Sequence, residues 1–311
     1  MAKTYDVIII GGGPAGLSAA IYAKRFGVEP LVIVKESGGL MATAPLLENW
    51  PGEKSITGQK LGQKMEKQAR KLKVKFVFDS VEKVHGVDNG SKFAVSTIER
   101  QYSAKSIILA TGTKHKHLGA PGESEFEGRG VSYCATCDGP LFANRTVAVI
   151  GGGDSAVKTA LLLAGIASKV YLIYRGGALK CDAFNKDSVC SHDKVKVIYE
   201  TNVTKILGEK MVNRLELDRP YEGSNELKVD GVFVSVGHTP QSELAVGLGA
   251  TVNDKAEIIV DKFGKTAVPG LFAAGDVTDF GFKQAVTAAS QGATAAHEAY
   301  NYVSRLNAEK K

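Results

Sequence analysis

Cysteine is scarce, with four residues among 311, so the chain is no small module stapled by disulfides. No run of about 18 apolar residues occurs that could cross a membrane as a helix. The opening Met1-Ala2-Lys3-Thr4-Tyr5-Asp6 lacks the apolar core and cleavage site of a secretory leader, so a soluble, cytoplasmic protein without a membrane partner is expected. An excess of one charge is also missing. The 39 basic and 33 acidic residues leave +6, spread along the chain, which gives nucleic-acid binding little support. A content of 44% hydrophobic and 23% charged residues excludes disorder. Glycine, by contrast, is abundant: 35 residues, about 11% where ~7% is usual, imply many tight turns and close backbone approaches.

The length suggests about two domains. Tyr5 to Ile10 is a continuous apolar run, typical of a strand buried on both faces, and Gly11-Gly12-Gly13-Pro14-Ala15-Gly16 follows at once. A helix from Leu17 to Phe26 and a strand from Leu31 to Val34 complete a β-α-β unit, the context that lifts a G-x-G-x-x-G pattern above chance. The pattern returns as strand Thr146 to Ile150, Gly151-Gly152-Gly153-Asp154-Ser155-Ala156, helix Val157 to Ala167 and strand Val170 to Tyr174. Gly11, Gly13 and Gly16, and likewise Gly151, Gly153 and Ala156, suit a tight turn, approach of backbone to a pyrophosphate, and close helix–strand packing. Each helix N-terminus then faces an anion. Glu36, 20 residues beyond Gly16, stands where a carboxylate can bond a ribose hydroxyl.

Three further strands end in glycine: Ser106 to Ala110 before Thr111-Gly112, Val232 to Val236 before Gly237, and Leu271 to Ala274 before Gly275-Asp276. They read as domain crossings and cofactor edges. Two linkers, around His115 to Ala120 and Gly237 to Leu244, flank the second unit, and an Ala-rich helix from Lys283 to Leu306 returns to the first. The expected fold is α/β, with two Rossmann-like, three-layer dinucleotide-binding domains, the second inserted in the first. Residues 1–116 and 243–311 form one domain and 117–242 the other.

Between the two glycine motifs lies Cys134-Ala135-Thr136-Cys137. In a reducing compartment this C-x-x-C pair points to redox or metal chemistry. A zinc site completed by Cys181 and Cys190 has poor spacing, since eight residues separate that second pair instead of two to four. Cys181 and Cys190 are read as incidental, and His115 and His117 as linker residues. Two dinucleotide sites and a dithiol pair together suggest electron transfer from one cofactor to another and then to a disulfide.

These motifs resemble the low-molecular-weight thioredoxin reductases over essentially the whole chain. The resemblance rests on Gly11 to Gly16, Gly38-Gly39-Leu40, Glu48-Asn49-Trp50-Pro51-Gly52, Ala110-Thr111-Gly112, Cys134 to Gly139, Gly151 to Ala156, Gly237-His238-Thr239-Pro240 and Ala274-Gly275-Asp276. It implies bound FAD, a thioredoxin-like partner and a homodimer. Gly11, Gly13, Pro14, Ala15, Gly16, Glu36, Gly39, Leu40, Asn49, Thr111, Gly112, Gly275, Asp276, Gln284 and Ala285 are the expected FAD residues. By the same resemblance, Cys137 is the flavin-proximal sulfur, Cys134 attacks the partner's disulfide, and Asp138 protonates a leaving thiolate. A dithiol oxidase of similar architecture and a catalytically silent, zinc-stabilised binding protein are the competing readings.

The donor site departs from the family pattern. Gly151, Gly153, Asp154, Ser155, Ala156, Arg175 and Lys180 are expected to hold a nicotinamide dinucleotide, NADPH or NADH. Yet typical NADPH-using members carry a His-Arg-Arg run where this chain has Tyr174-Arg175-Gly176. Loss of a charged hydrogen bond puts NADPH preference in question, and a deazaflavin or ferredoxin donor stays open. Replacing Gly176 by arginine is expected to restore use of the 2′-phosphate.

Overall fold

The computed structural model describes residues 4–44, 47–87 and 92–309. The chain divides into two compact units, Met1–Lys114 with Thr239–Lys311, and His115–His238. In the first, the chain runs β1 (Thr4–Ile10), α1 (Pro14–Arg25), β2 (Pro30–Val34), α2 (Gly58–Lys71), β3 (Lys75–Phe78), β4 (Val81–Val87), β5 (Lys92–Thr97), β6 (Gln101–Leu109) and the crossing strand β7 (Thr113–His115). The second comprises β8 (Val131–Ser132), α3 (Ala135–Asp138), β9 (Thr146–Ile150), α4 (Asp154–Ala164), β10 (Lys169–Ile173), α5 (Ala183–Cys190), β11 (Val195–Ile198), β12 (Val203–Gly208), β13 (Val212–Tyr221), β14 (Ser224–Lys228) and β15 (Gly231–Val234). The chain returns through β16 (His238–Pro240) to α6 (Glu243–Gly247), β17 (Leu271–Ala273) and α7 (Ala285–Ala308).

The first unit's sheet has the order β3-β2-β1-β6-β5-β4, with β17 also pairing β6. Strands β3, β2, β1, β6 and β17 are parallel. β1 is apolar without alternation because both its faces are covered. Val7 and Ile9 pack with Ala19, Ala20, Ala295 and Ala299 of α1 and α7. Ile8 and Ile10 pack on the other side with Ala245 of α6, Ile258 and Phe93. The small residues of α7 allow close approach: a Cβ on Gly292 would lie 2.0 Å from the Ala15 carbonyl oxygen.

The second unit has a parallel sheet, β11-β10-β9-β15-β8. Helices α4 and α5 cover one face, through Val157, Ala160, Leu163 and Val189. The other face packs on an antiparallel sheet, β12-β13-β14, through Leu215, Leu217 and Leu227. Three layers therefore form, with a sheet where a doubly wound domain would place a second row of helices.

Both motif helices start three residues before the apolar periodicity suggests, at Pro14 and Asp154. Pro14 suits the first helical position, since its missing N–H has no intrahelical partner there. The last residue of each motif is thus already helical. In the first unit it must be glycine, because a Cβ on Gly16 would lie 2.0 Å from the Gly11 oxygen.

Candidate active site

The first glycine turn is shaped by backbone contacts. Gly11 adopts φ +117°, a region that favours glycine, and donates its N–H to the Ile33 oxygen at 2.9 Å. No side chain caps α1 at Gly13 and no acid stands in its first turn, so its first N–H groups are left without a side-chain acceptor. A Cβ on Gly13 would meet only the Gly38 oxygen, 4.0 Å away. Gly38 N donates to Gly12 O at 2.8 Å, which lays the turn that carries Gly39 and Leu40 onto the motif. Glu36 stands exposed just beyond β2.

Other segments of the same unit converge there. A Cβ on Gly275 would lie 3.0 Å from the Ala15 Cβ, so Asp276 follows directly on the contact with α1. Burial raises the pKa of Asp276, an effect that the nearby Lys283 charge opposes. Lys283 Nζ itself donates to the backbone oxygens of Asp276 and Thr278 at 2.8 and 3.1 Å and pairs with Glu257. Among the described residues no donor reaches the half-buried Asp276 carboxylate. Asn49 donates to Gln284 Oε1 at 3.0 Å, joining the Asn-Trp-Pro-Gly loop to the N-cap of α7, where Ala285 is the first helical residue. Thr111 and Gly112 are held by Gln241: Thr111 Oγ1 donates to Gln241 O at 2.7 Å, and Gln241 N donates to Gly112 O at 2.9 Å.

The second turn repeats the design within the second unit. Gly151, at φ +143°, donates to Ile173 O at 2.9 Å, and Gly153 is an N-cap without a capping side chain. Ala156 is buried against the turn, and Ser155 is exposed. Asp154 accepts the Asp182 N–H at 3.0 Å, and Lys180 N donates to Gly152 O at 2.7 Å. Arg175 and the Lys180 side chain are exposed. The ring of Tyr174 lies beside the glycines: a Cβ on Gly152 would meet it at 2.3 Å, and one on Gly176 at 2.7 Å. A side chain at Gly176 would therefore have to displace the Tyr174 ring, a neighbour that the expectation drawn from the sequence did not include.

Cys134 and Cys137 form a disulfide, with Cα atoms 5.3 Å apart. Cys134 is the N-cap of α3 and Cys137 its third residue, and the Cys137 N–H donates to Cys134 Sγ at 3.2 Å. Asp138 closes this single turn, its N–H donating to Cys134 O at 3.0 Å. Cys181 and Cys190 are free thiols outside and at the end of α5. Burial, with Asp154 and Asp182 nearby, pushes the Cys181 thiol up, which suits an inert sulfur.

A family model described as pyridine nucleotide-disulphide oxidoreductase matches residues 5–292. The thioredoxin reductase of Listeria monocytogenes is 40% identical over 307 residues, 98% of this chain and 95% of that protein. The chain belongs to the thioredoxin reductases of this family. Among solved structures, the thioredoxin reductase of Lactococcus lactis has a TM-score of 0.92 at 36% identity, covering 97% of this chain and 100% of that one. That of T. acidophilum has a TM-score of 0.90 at 36% identity, covering 96% and 98%. Both bear out the two-domain Rossmann-like fold expected of a thioredoxin reductase.

Sequence reasoning missed several residues of this thioredoxin reductase. Glu123 is buried, accepts the N–H groups of Leu118 and Gly119 at 2.8 and 2.7 Å, and accepts the Tyr133 hydroxyl proton at 2.7 Å. Burial and this carboxylate push the Tyr133 phenol well above its ordinary range. Tyr133 directly precedes Cys134, so the network fixes the chain entering the redox pair. His117 Nδ1 lies 2.6 Å from the Tyr133 hydroxyl, and the His115 ring stacks on Tyr133 and lies 5.0 Å from that of His238. Burial lowers the pKa of both His115 and His238. These histidines are packing partners of the redox segment as well as linker residues. No local motif marks Glu123, because its partners lie along an irregular loop.

Proposed function

We propose that this chain reduces the disulfide of a thioredoxin-like protein, using FAD held in the first unit and a nicotinamide dinucleotide, NADPH or NADH, taken up by the second. The observation that carries the reading is the Cys134–Cys137 disulfide on a one-turn helix, in a unit that also holds a dinucleotide-type glycine turn. The first turn suits FAD: α1 offers uncapped N–H groups, Gly13 leaves room beside them, and the Asp276 carboxylate lacks a donor among the described residues. Asn49, Gln284 and Ala285 would bound the flavin end, and Glu36 would take the adenosine ribose. FAD, when bound, supplies the two-electron relay between a reduced donor and the Cys134–Cys137 pair.

The chain's own groups account for the remaining chemistry. Once the pair is reduced, the Cys137 N–H favours the thiolate on Cys134 over the thiol. That thiolate attacks the partner's disulfide, forming a mixed disulfide and expelling a partner thiolate, which Asp138 protonates directly or through water. Cys137 then gives up its proton and, as a thiolate, attacks Cys134 Sγ of the mixed disulfide, and the second partner sulfur leaves as a thiolate that takes up that proton. The partner leaves as a dithiol and the Cys134–Cys137 bond is restored. We place this reaction in the cytoplasm, where Cys181 and Cys190 persist as thiols, and take the working assembly to be a homodimer.

Thiol trapping tests the reading. Cys137→Ser should capture thioredoxin as a mixed disulfide, Cys134→Ser should not, and both should keep about one flavin per chain after reconstitution with FAD. Capture by Cys134→Ser alone would reverse the two roles. Absence of flavin from reconstituted wild type would defeat the reading. Oxygen uptake driven by a dithiol, with no donor-dependent thioredoxin reduction, would assign the chain to dithiol oxidation instead.

A further inference from the structure

The two glycine turns can be aligned residue by residue, because Gly11 N bonds Ile33 O and Gly151 N bonds Ile173 O at the same 2.9 Å. Three residues beyond those carbonyls stand Glu36 in the first unit and Gly176 in the second. This is where a side chain reads the 2′ position of an adenosine ribose: an acid for a free hydroxyl, a base for a phosphate. The second turn has neither. Instead, the residue after Ile173 is a tyrosine whose ring reaches from one glycine to another. Its Cγ end would lie 2.3 Å from a Cβ on Gly152, and its hydroxyl end 3.0 Å from a Cβ on Gly176. At the first turn the corresponding Val34 touches only the Gly12 side, 2.8 Å from the same imagined atom.

The segment that carries the ring is pinned through its backbone. Thr201 N donates to Tyr174 O and Glu200 N to Gly176 O, each at 3.2 Å. The Glu200 side chain lies 3.6 Å from the Cβ position of Gly177 and is paired with Arg219 at 3.4 Å. The corner thus presents an aromatic wedge and a carboxylate, and the carboxylate's cation, Arg219, is already engaged with it. Arg175 and Lys180 flank it as solvated charges.

We propose that Tyr174 is the specificity-determining residue of the second turn, its ring filling the corner where a ribose reader would stand and selecting dinucleotides without a 2′-phosphate. Gly176 is then glycine because the ring needs the space, and the missing arginine is a consequence of the tyrosine. The proposal rests on the reading that the second unit binds the nicotinamide donor.

The test is calorimetric titration of the flavin-loaded protein with NAD⁺, NADP⁺ and adenosine 2′,5′-bisphosphate, for wild type, Gly176→Arg, Tyr174→Ala and Tyr174→Ala/Gly176→Arg. Wild type and Gly176→Arg should bind NAD⁺ at least as tightly as NADP⁺. The double variant should shift the ratio toward NADP⁺ by about ten- to a hundredfold, the worth of a charged hydrogen bond. Gly176→Arg should also lower the melting temperature more when added to wild type than when added to Tyr174→Ala, because only where the ring is present does it force a side chain into it. An equal shift in the single and double variants, an equal melting loss from Gly176→Arg on the two backgrounds, or a wild-type preference for NADP⁺ would overturn the role of Tyr174 while leaving the donor site standing. Failure of every variant to bind any of the three nucleotides would overturn the donor site itself, and the proposal with it.

Discussion

At the first glycine turn the strand hands over to Val34, Lys35 and an exposed Glu36, and at the second to Tyr174, Arg175 and Gly176, with the glycines themselves in the same register. The backbone part of the device, a glycine at positive φ followed by an uncapped helix, is common to both. It suits a pyrophosphate and says nothing of which nucleotide carries it. The side chains just beyond the strand hold that choice, and there the two turns part. Packing differs as well: the first turn excludes any Cβ at its last glycine, whereas the second accommodates Ala156. A duplicated backbone motif can thus keep its anion site while one copy changes what else it will accept.

The sharpest separation of the two units should come from Asp138→Asn, which should slow thioredoxin reduction by ~100- to 10,000-fold, as loss of a positioned acid does, while the flavin spectrum is unchanged. Unaltered turnover would remove Asp138 from the chemistry. Next in size is Gly16→Val, whose Cβ would lie 2.0 Å from a backbone oxygen. It should cost about 3 kcal/mol and release flavin, whereas Ala156→Gly should cost about 1 kcal/mol and retain it. Similar melting losses for these two would erase the distinction between the turns. Asp276→Ala should weaken FAD binding by about ten- to a hundredfold, read by equilibrium dialysis. An unchanged affinity would leave the first site without its carboxylate.

The smallest expected effect concerns pH. The pKa of Asp276 is raised, mainly by burial, so the folded, flavin-free chain holds that proton more tightly than the unfolded one. Its contribution to stability then falls as pH rises from the ordinary aspartate value to the raised one, and the cost is full above it. Flavin-free Asp276→Asn should therefore melt above flavin-free wild type at pH 7, with the gain vanishing below the ordinary aspartate range. A gain independent of pH would point to packing instead.

The β-α-β units could be read from the sequence because their signals are local: an apolar run, a glycine cluster and a helix within about 30 residues. The helix starts were misplaced by three residues because apolar periodicity begins only once α1 and α4 have turned onto the sheet, after Pro14 and Asp154. Contacts that fix the site are mostly distant in sequence, such as Asn49 with Gln284 and Thr111 with Gln241. No spacing rule marks them. Tyr174 escaped notice for a different reason: in a linear comparison Gly176 reads as a lost arginine, and only the three-dimensional placement puts the Tyr174 ring beside it.

The two crossing strands also bear on how such a chain could have arisen and be re-engineered. β7 and β16 pair with each other, and within the second unit Lys116 N donates to Gly237 O at 2.8 Å. The second unit therefore begins and ends at one point, like a bead on a closed loop of thread. A single splice into one surface loop of an ancestral one-domain protein would suffice to introduce it. The same point gives a protein engineer one place to exchange 115–238 for another reductive module, with the Thr111–Gln241 clasp left intact to hold the ends.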